Sequence, residues 1–196
     1  MYWDKNVHFI KRLQKSDLIN RLLEENASNL SEQEFKNYIL QPFTELKSED
    51  LTNEGSSVFL YYLNKYKSGI KDIYSALQEY SEPFKIAIIS KFIKQDLMNK
   101  ELYEELPDFA NTLAENHPIN LYNQIFRYEK NLDYLKMFEP KFLEMIKKDK
   151  MYLGGFSRAL DGPAEKRNYI IKTFSIKEAC ELPRPKEARL LFYTDD

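Results

Sequence analysis

Val58-Phe59-Leu60-Tyr61-Tyr62-Leu63-Asn64-Lys65-Tyr66-Lys67-Ser68-Gly69-Ile70-Lys71-Asp72-Ile73 is the stretch on which the fold class turns. Phe59, Tyr62, Leu63, Tyr66, Ile70 and Ile73 recur at steps of three and four, the spacing that puts side chains on one helical face. Val58 to Leu63 alone is β-prone and would suit a strand. The register continuing past Tyr66 favours a helix, which Gly69 is expected to divide in two.

Start and stop signals extend the helical reading in both directions. Ser31-Glu32-Gln33-Glu34 has the pattern of a capping box, in which the serine oxygen accepts from the amide three residues on and the glutamate reaches back. Ser175-Ile176-Lys177-Glu178 repeats it. Ser81-Glu82-Pro83 offers an N-cap, a first-turn acid and a proline. Asn131, the Asn116-His117-Pro118 corner and Asp161-Gly162-Pro163 mark further joints. Pro42, Pro107 and Pro140 each call for a helix start, kink or end, because proline lacks an amide donor and clashes with the preceding turn. These signals predict helices near 5–14, 16–26, 31–46, 49–67, 70–80, 82–98, 99–106, 107–116, 119–130, 132–138, 139–148, 150–160, 163–174 and 175–181. Phe84-Lys85-Ile86-Ala87-Ile88-Ile89-Ser90-Lys91-Phe92-Ile93 is apolar nearly all round, the pattern of a helix at the centre of a core.

The expected fold class is therefore all-α, an irregular multi-helix bundle in one helical domain over residues 1–196. Residues 182–196, behind Pro183 and Pro185, are expected to be an extended tail docked on the helices, with a short strand over Ala188–Tyr193 as the alternative. Paired helices beginning near Ser31, Gly69, Asn99, Asn131 and Gly162 recur every thirty to forty residues, the length of a two-helix repeat. HEAT-like stacked helical pairs are thus the alternative architecture, although the residues themselves do not repeat.

Composition narrows the function. The 196 residues carry 29 Lys plus Arg against 31 Asp plus Glu, a net charge of -2, which disfavours a general nucleic-acid binder. A single cysteine, Cys180, excludes an internal disulfide. There is no apolar run of 18 residues, and the opening Met1-Tyr2-Trp3-Asp4 lacks the apolar centre of a secretory signal. A cytoplasmic protein without a membrane partner is the expectation. Lysine outnumbers arginine 22 to 7, and tyrosine and phenylalanine are abundant while alanine is scarce. That bias fits an AT-rich microbial or phage genome and discounts the 14 Tyr and 13 Phe as a sign of a sticky surface.

Chemistry-bearing motifs are few. His8 and His117 lie far apart with no second His or Cys at a helical step, and no Glu-x-x-His pair exists, so no metal site is expected. Glycine-rich phosphate loops and nucleophile elbows are missing from the sequence, which leaves no expected cofactor. Ser68-Gly69-Ile70-Lys71 matches Ser-x-x-Lys, a chance pattern in a lysine-rich chain, and no histidine lies near Cys180 to activate it. Gly154-Gly155 is unusual inside a helical pattern and suits a helix start or a close backbone approach. No catalytic residue is assigned.

Charge is segregated. Residues 96–115 hold six acids and one base, whereas residues 147–172 hold seven bases and three acids. Such runs are usually solvated faces. The function expected is a non-catalytic interaction module, a small microbial or phage inhibitor or immunity-type protein that blocks another protein. Its contact residues would be Glu101, Glu104, Glu105 and Asp108, set against a basic cleft. The alternative is a helical-repeat protein that binds nucleic acid through Lys147, Lys148, Lys150, Arg158, Lys166 and Arg167; its enzyme form, a helical-repeat DNA-repair enzyme, would line a basic groove with Tyr152, Phe156 and Tyr169 from the same stretch. A scaffold with a peptide groove is a third reading.

Overall fold

The computed structural model describes residues 19–44, 51, 53–114, 117–148 and 163–174, and every regular element among them is helical. The chain divides into two compact units, Met1–Leu121 and Tyr122–Asp196. The expected helices at 5–14, 150–160 and 175–181, and the tail at 182–196, lie outside the described residues.

In the first unit α1 spans Ile19–Ala27. The Ser31 box then starts α2, Glu32–Phe35: the Ser31 oxygen accepts from the Glu34 amide, and the Glu34 carboxylate accepts from the Ser31 amide at 2.9 Å. The helical path continues through a π turn, Lys36–Leu40, into α3, Gln41–Thr44. The wide turn lies immediately before Pro42, where a regular turn would press the proline ring against the carbonyl of Tyr38.

Next comes α4, Asn53–Tyr66, which carries the stretch that decided the fold. Phe59, Tyr62 and Leu63 are fully buried. Gly69 stands at φ 89° and ψ -159°, a conformation open to glycine, and the chain breaks there as expected. Beyond it the helix at 70–80 is shorter than its pattern suggested. A 3-10 turn, Ile70–Asp72, leads into α5, Ile73–Leu77.

The apolar segment forms α6, Glu82–Lys94, and Phe84 through Ser90 are buried in succession. This is the all-round burial its composition implied. The helix ends at Lys94, short of the expected 98, because Asp96 takes up a left-handed φ of 61°. The amides of Asp96 and Leu97 bond back to the carbonyls of Ile93 and Phe92, at 3.0 and 2.9 Å. That is a Schellman stop with aspartate in the place usual for glycine.

The expected division at Pro107 is not found. A single helix, α7, runs Lys100–Asn111 with Pro107 inside it. An interior proline costs about 3 kcal/mol. The buried face of Leu102, Tyr103, Leu106, Phe109 and Ala110 outweighs that, since each large apolar side chain contributes about 1.5–3 kcal/mol on full burial.

Aromatic packing joins these helices. Phe35 lies 5.7, 6.2 and 5.3 Å from the rings of Tyr61, Tyr62 and Tyr66. Phe59 meets Phe84 edge-on at 5.9 Å.

Next, α8 spans His117–Tyr128, and its residues from Tyr122 onward belong to the second unit. There α9 is Leu132–Met137, α10 is Glu139–Lys148 and α11 is Ala164–Thr173. Phe126, Phe142 and Phe174 form the centre, with Phe126 edge-on to the other two at 4.5 and 5.4 Å.

Each unit contains a tyrosine–glutamate bond and a lysine cap, with the lysine and tyrosine three residues apart but in opposite order along the chain. Tyr62 donates to Glu32 at 2.8 Å, and Tyr169 donates to Glu139 at 2.7 Å, each across thirty residues. Both glutamates open a helix, and both are followed three residues later by a fully buried phenylalanine, Phe35 or Phe142. Lys65 donates to the carbonyls of Ala27 and Ser28, and Lys166 to those of Arg127 and Glu129. Each lysine thus caps a helix end 37 to 39 residues earlier, where unpaired carbonyls otherwise remain.

Candidate interaction surface

The acidic segment is presented by α7. Asn99 starts this helix, its side chain accepting from the Leu102 amide at 2.9 Å. The apolar face is locked into the core, with Phe109 4.8 Å from Tyr74 and the Tyr74 hydroxyl donating to the Leu102 carbonyl. Helical geometry turns the positions in between outward. Glu101, Glu104, Glu105 and Asp108 are all exposed, at the steps of three and four that make one stripe.

Within this stripe, the ion pair found among the described residues is Lys100 with Glu104, at 3.5 Å between largely solvated side chains. Such a pair contributes little to stability. The stripe's potential reaches inward, however. Burial raises the Tyr74 phenol well above its ordinary range, and the negative charge of Glu105 adds to the effect. The stripe offers four carboxylates to solvent on a rigid support. It has no apolar enclosure of the kind that tunes a carboxyl for general acid work.

Of the basic set, Lys147, Lys166 and Arg167 have described side chains. Lys147 is exposed on α10 and Arg167 is exposed on α11. Lys148 closes α10, and Lys150 and Arg158 lie outside the described residues. Lys166 does not belong to a surface at all. It is 2% exposed, and its ammonium donates to the Arg127 and Glu129 carbonyls at 3.3 and 2.5 Å. The reason is its position on the inner side of α11, next to the buried Ile170. Tyr169, a groove aromatic in the DNA-repair reading, is half-buried, bonded to Glu139 and edge-on to Phe174. Tyr152, Phe156, Gly154, Gly155, His8 and Cys180 lie outside the described residues, and His117 opens α8. Ser68 and Lys71 occupy an exposed turn in which the Ser68 amide donates to Asp72 at 2.6 Å.

Two polar arrangements were not foreseen. The first surrounds Lys166. Burial draws its ammonium down to about 8, against a smaller opposing effect of Glu129. Glu129 is itself buried, and its carboxylate accepts from the amides of Lys130 and Asn131 at 2.7 and 2.6 Å ahead of α9. The second is a cleft of about 500 Å³ lined by Glu24, Ser28, Leu60, Tyr61, Asn64 and Lys65. Burial and the neighbouring Glu24 push the Tyr61 phenol up to about 12. Both depend on residues more than thirty apart in sequence, so no local pattern announces them.

Among the described residues, no group of three or more His, Cys, Asp or Glu is placed to hold a metal ion, and no helix is long and apolar enough to cross a membrane. Tyr38, Met137 and Ile171 are large apolar side chains exposed there.

Comparison with known protein families, with curated protein sequences and with solved structures gave no match.

Proposed function

We propose that this protein is a non-catalytic, cytoplasmic interaction module of a microbe or phage, an inhibitor or immunity-type protein that covers a basic surface of another protein. The observation that carries the reading is the α7 stripe: Glu101, Glu104, Glu105 and Asp108 all exposed on a helix whose other face is fixed in the core. Four carboxylates held in register favour a partner rich in lysine and arginine, and their summed field steers its approach. Helix starts at Glu32, Ile70, Lys100, Leu132 and Ala164, thirty to forty residues apart, support the further proposal of a repeated helical architecture, with HEAT-like pairing as its finer form.

The test is charge reversal. The double variant Glu104→Lys, Glu105→Lys should fold normally by circular dichroism. It should bind the partner recovered from the native cell more weakly and with slower association. Reversal of the exposed Lys147 and Arg167 to Glu is the control, and should leave binding intact. If the basic reversal abolishes binding and the acidic one does not, the acidic reading fails. A DNA or RNA partner in that case would establish the nucleic-acid alternative.

A further inference from the structure

We draw no further inference here: the strongest candidate, the cleft between α1 and α4 lined by Glu24, Ser28, Leu60, Tyr61, Asn64 and Lys65, carries none, because the Lys65 ammonium is already held by the Ala27 and Ser28 carbonyls and by the Tyr61 and Tyr66 rings, the Tyr61 hydroxyl lies beside the Glu24 carboxylate, and nothing in the structure shows what covers it.

Discussion

Raising the pH from 7 to 9 should stabilise the second unit, and Lys166 is the reason. Its amine is drawn from 10.5 down to about 8 in the folded protein by burial. Between those values the unfolded chain holds a proton that the folded chain has released. Stability therefore rises with pH through this window, because the state that binds more protons is penalised as protons become scarce. The full effect is about 3 kcal/mol at about 1.36 kcal/mol per pKa unit, and about 1.4 kcal/mol of it is gained between pH 7 and 9. The caps survive, since a neutral amine still has two hydrogens for the two carbonyls of Arg127 and Glu129. Above pH 10 the sign reverses. Burial raises the phenol of Tyr169, so the unfolded chain then loses tyrosine protons that the folded chain keeps. The assay is hydrogen exchange of the α11 amides at pH 7, 8 and 9, corrected for the intrinsic rate, in the native chain and in Lys166→Met. The native chain should gain protection relative to the variant. Equal slopes in the two proteins, or a direct nuclear magnetic resonance titration placing Lys166 above 10, would refute the argument.

Ile89→Ala removes a fully buried side chain at the middle of α6 and should destabilise by about 2–5 kcal/mol in urea unfolding; a loss under about 1 kcal/mol would contradict its central position. Asp96→Gly relieves a left-handed φ of 61° and should raise stability by up to about 1 kcal/mol, measured in the same assay; a loss of stability would show that the aspartate is not strained. Glu32 is held below its ordinary range, first by Lys67 and Tyr62, so the stability it contributes is present above about pH 4.5 and lost as pH falls through the folded value. Acid titration of Glu32→Gln by circular dichroism should therefore show a shallower loss below pH 4.5 than the native chain, and identical curves would remove Glu32 from the acid response.

What the sequence disclosed was local. The Ser31–Glu34 box, the glycine break at Gly69 and the all-round burial of α6 each follow from residues within a turn or two of one another. The acidic stripe was legible for the same reason, since a spacing of three and four fixes a face once a helix is granted. Pro107 was misread because the rule for proline is local and the face that overrides it packs against other helices. Asp96 carries no glycine to advertise its left-handed turn, and Lys166 resembles any surface lysine until its acceptors appear 37 and 39 residues away. Lys166 leaves the basic set for that reason: charge in the sequence does not reveal which lysines a fold turns inward.

The two tyrosine–glutamate bonds also bear on how the chain searches for its fold. Both tyrosine–glutamate bonds close loops of the same length, thirty residues, so the entropy lost on joining the ends is matched in the two units. That cost grows only with the logarithm of loop length, about 0.6 kcal/mol per doubling. Lengthening the turns between helices therefore adds little closure entropy, but the enclosed segments also carry buried core residues, Phe35, Phe43 and Phe59 in one unit and Phe142 in the other. The first unit has the more redundant anchors: without Tyr62 the Glu32 carboxylate still holds Lys67 at 2.8 Å, and the Ala27 carbonyl also accepts from the Leu30 amide at 3.2 Å. Variation is cheap in the turns and dear at the buried positions they separate, so descendants of this sequence should diverge in the turns while keeping the buried phenylalanines and each tyrosine–glutamate pair.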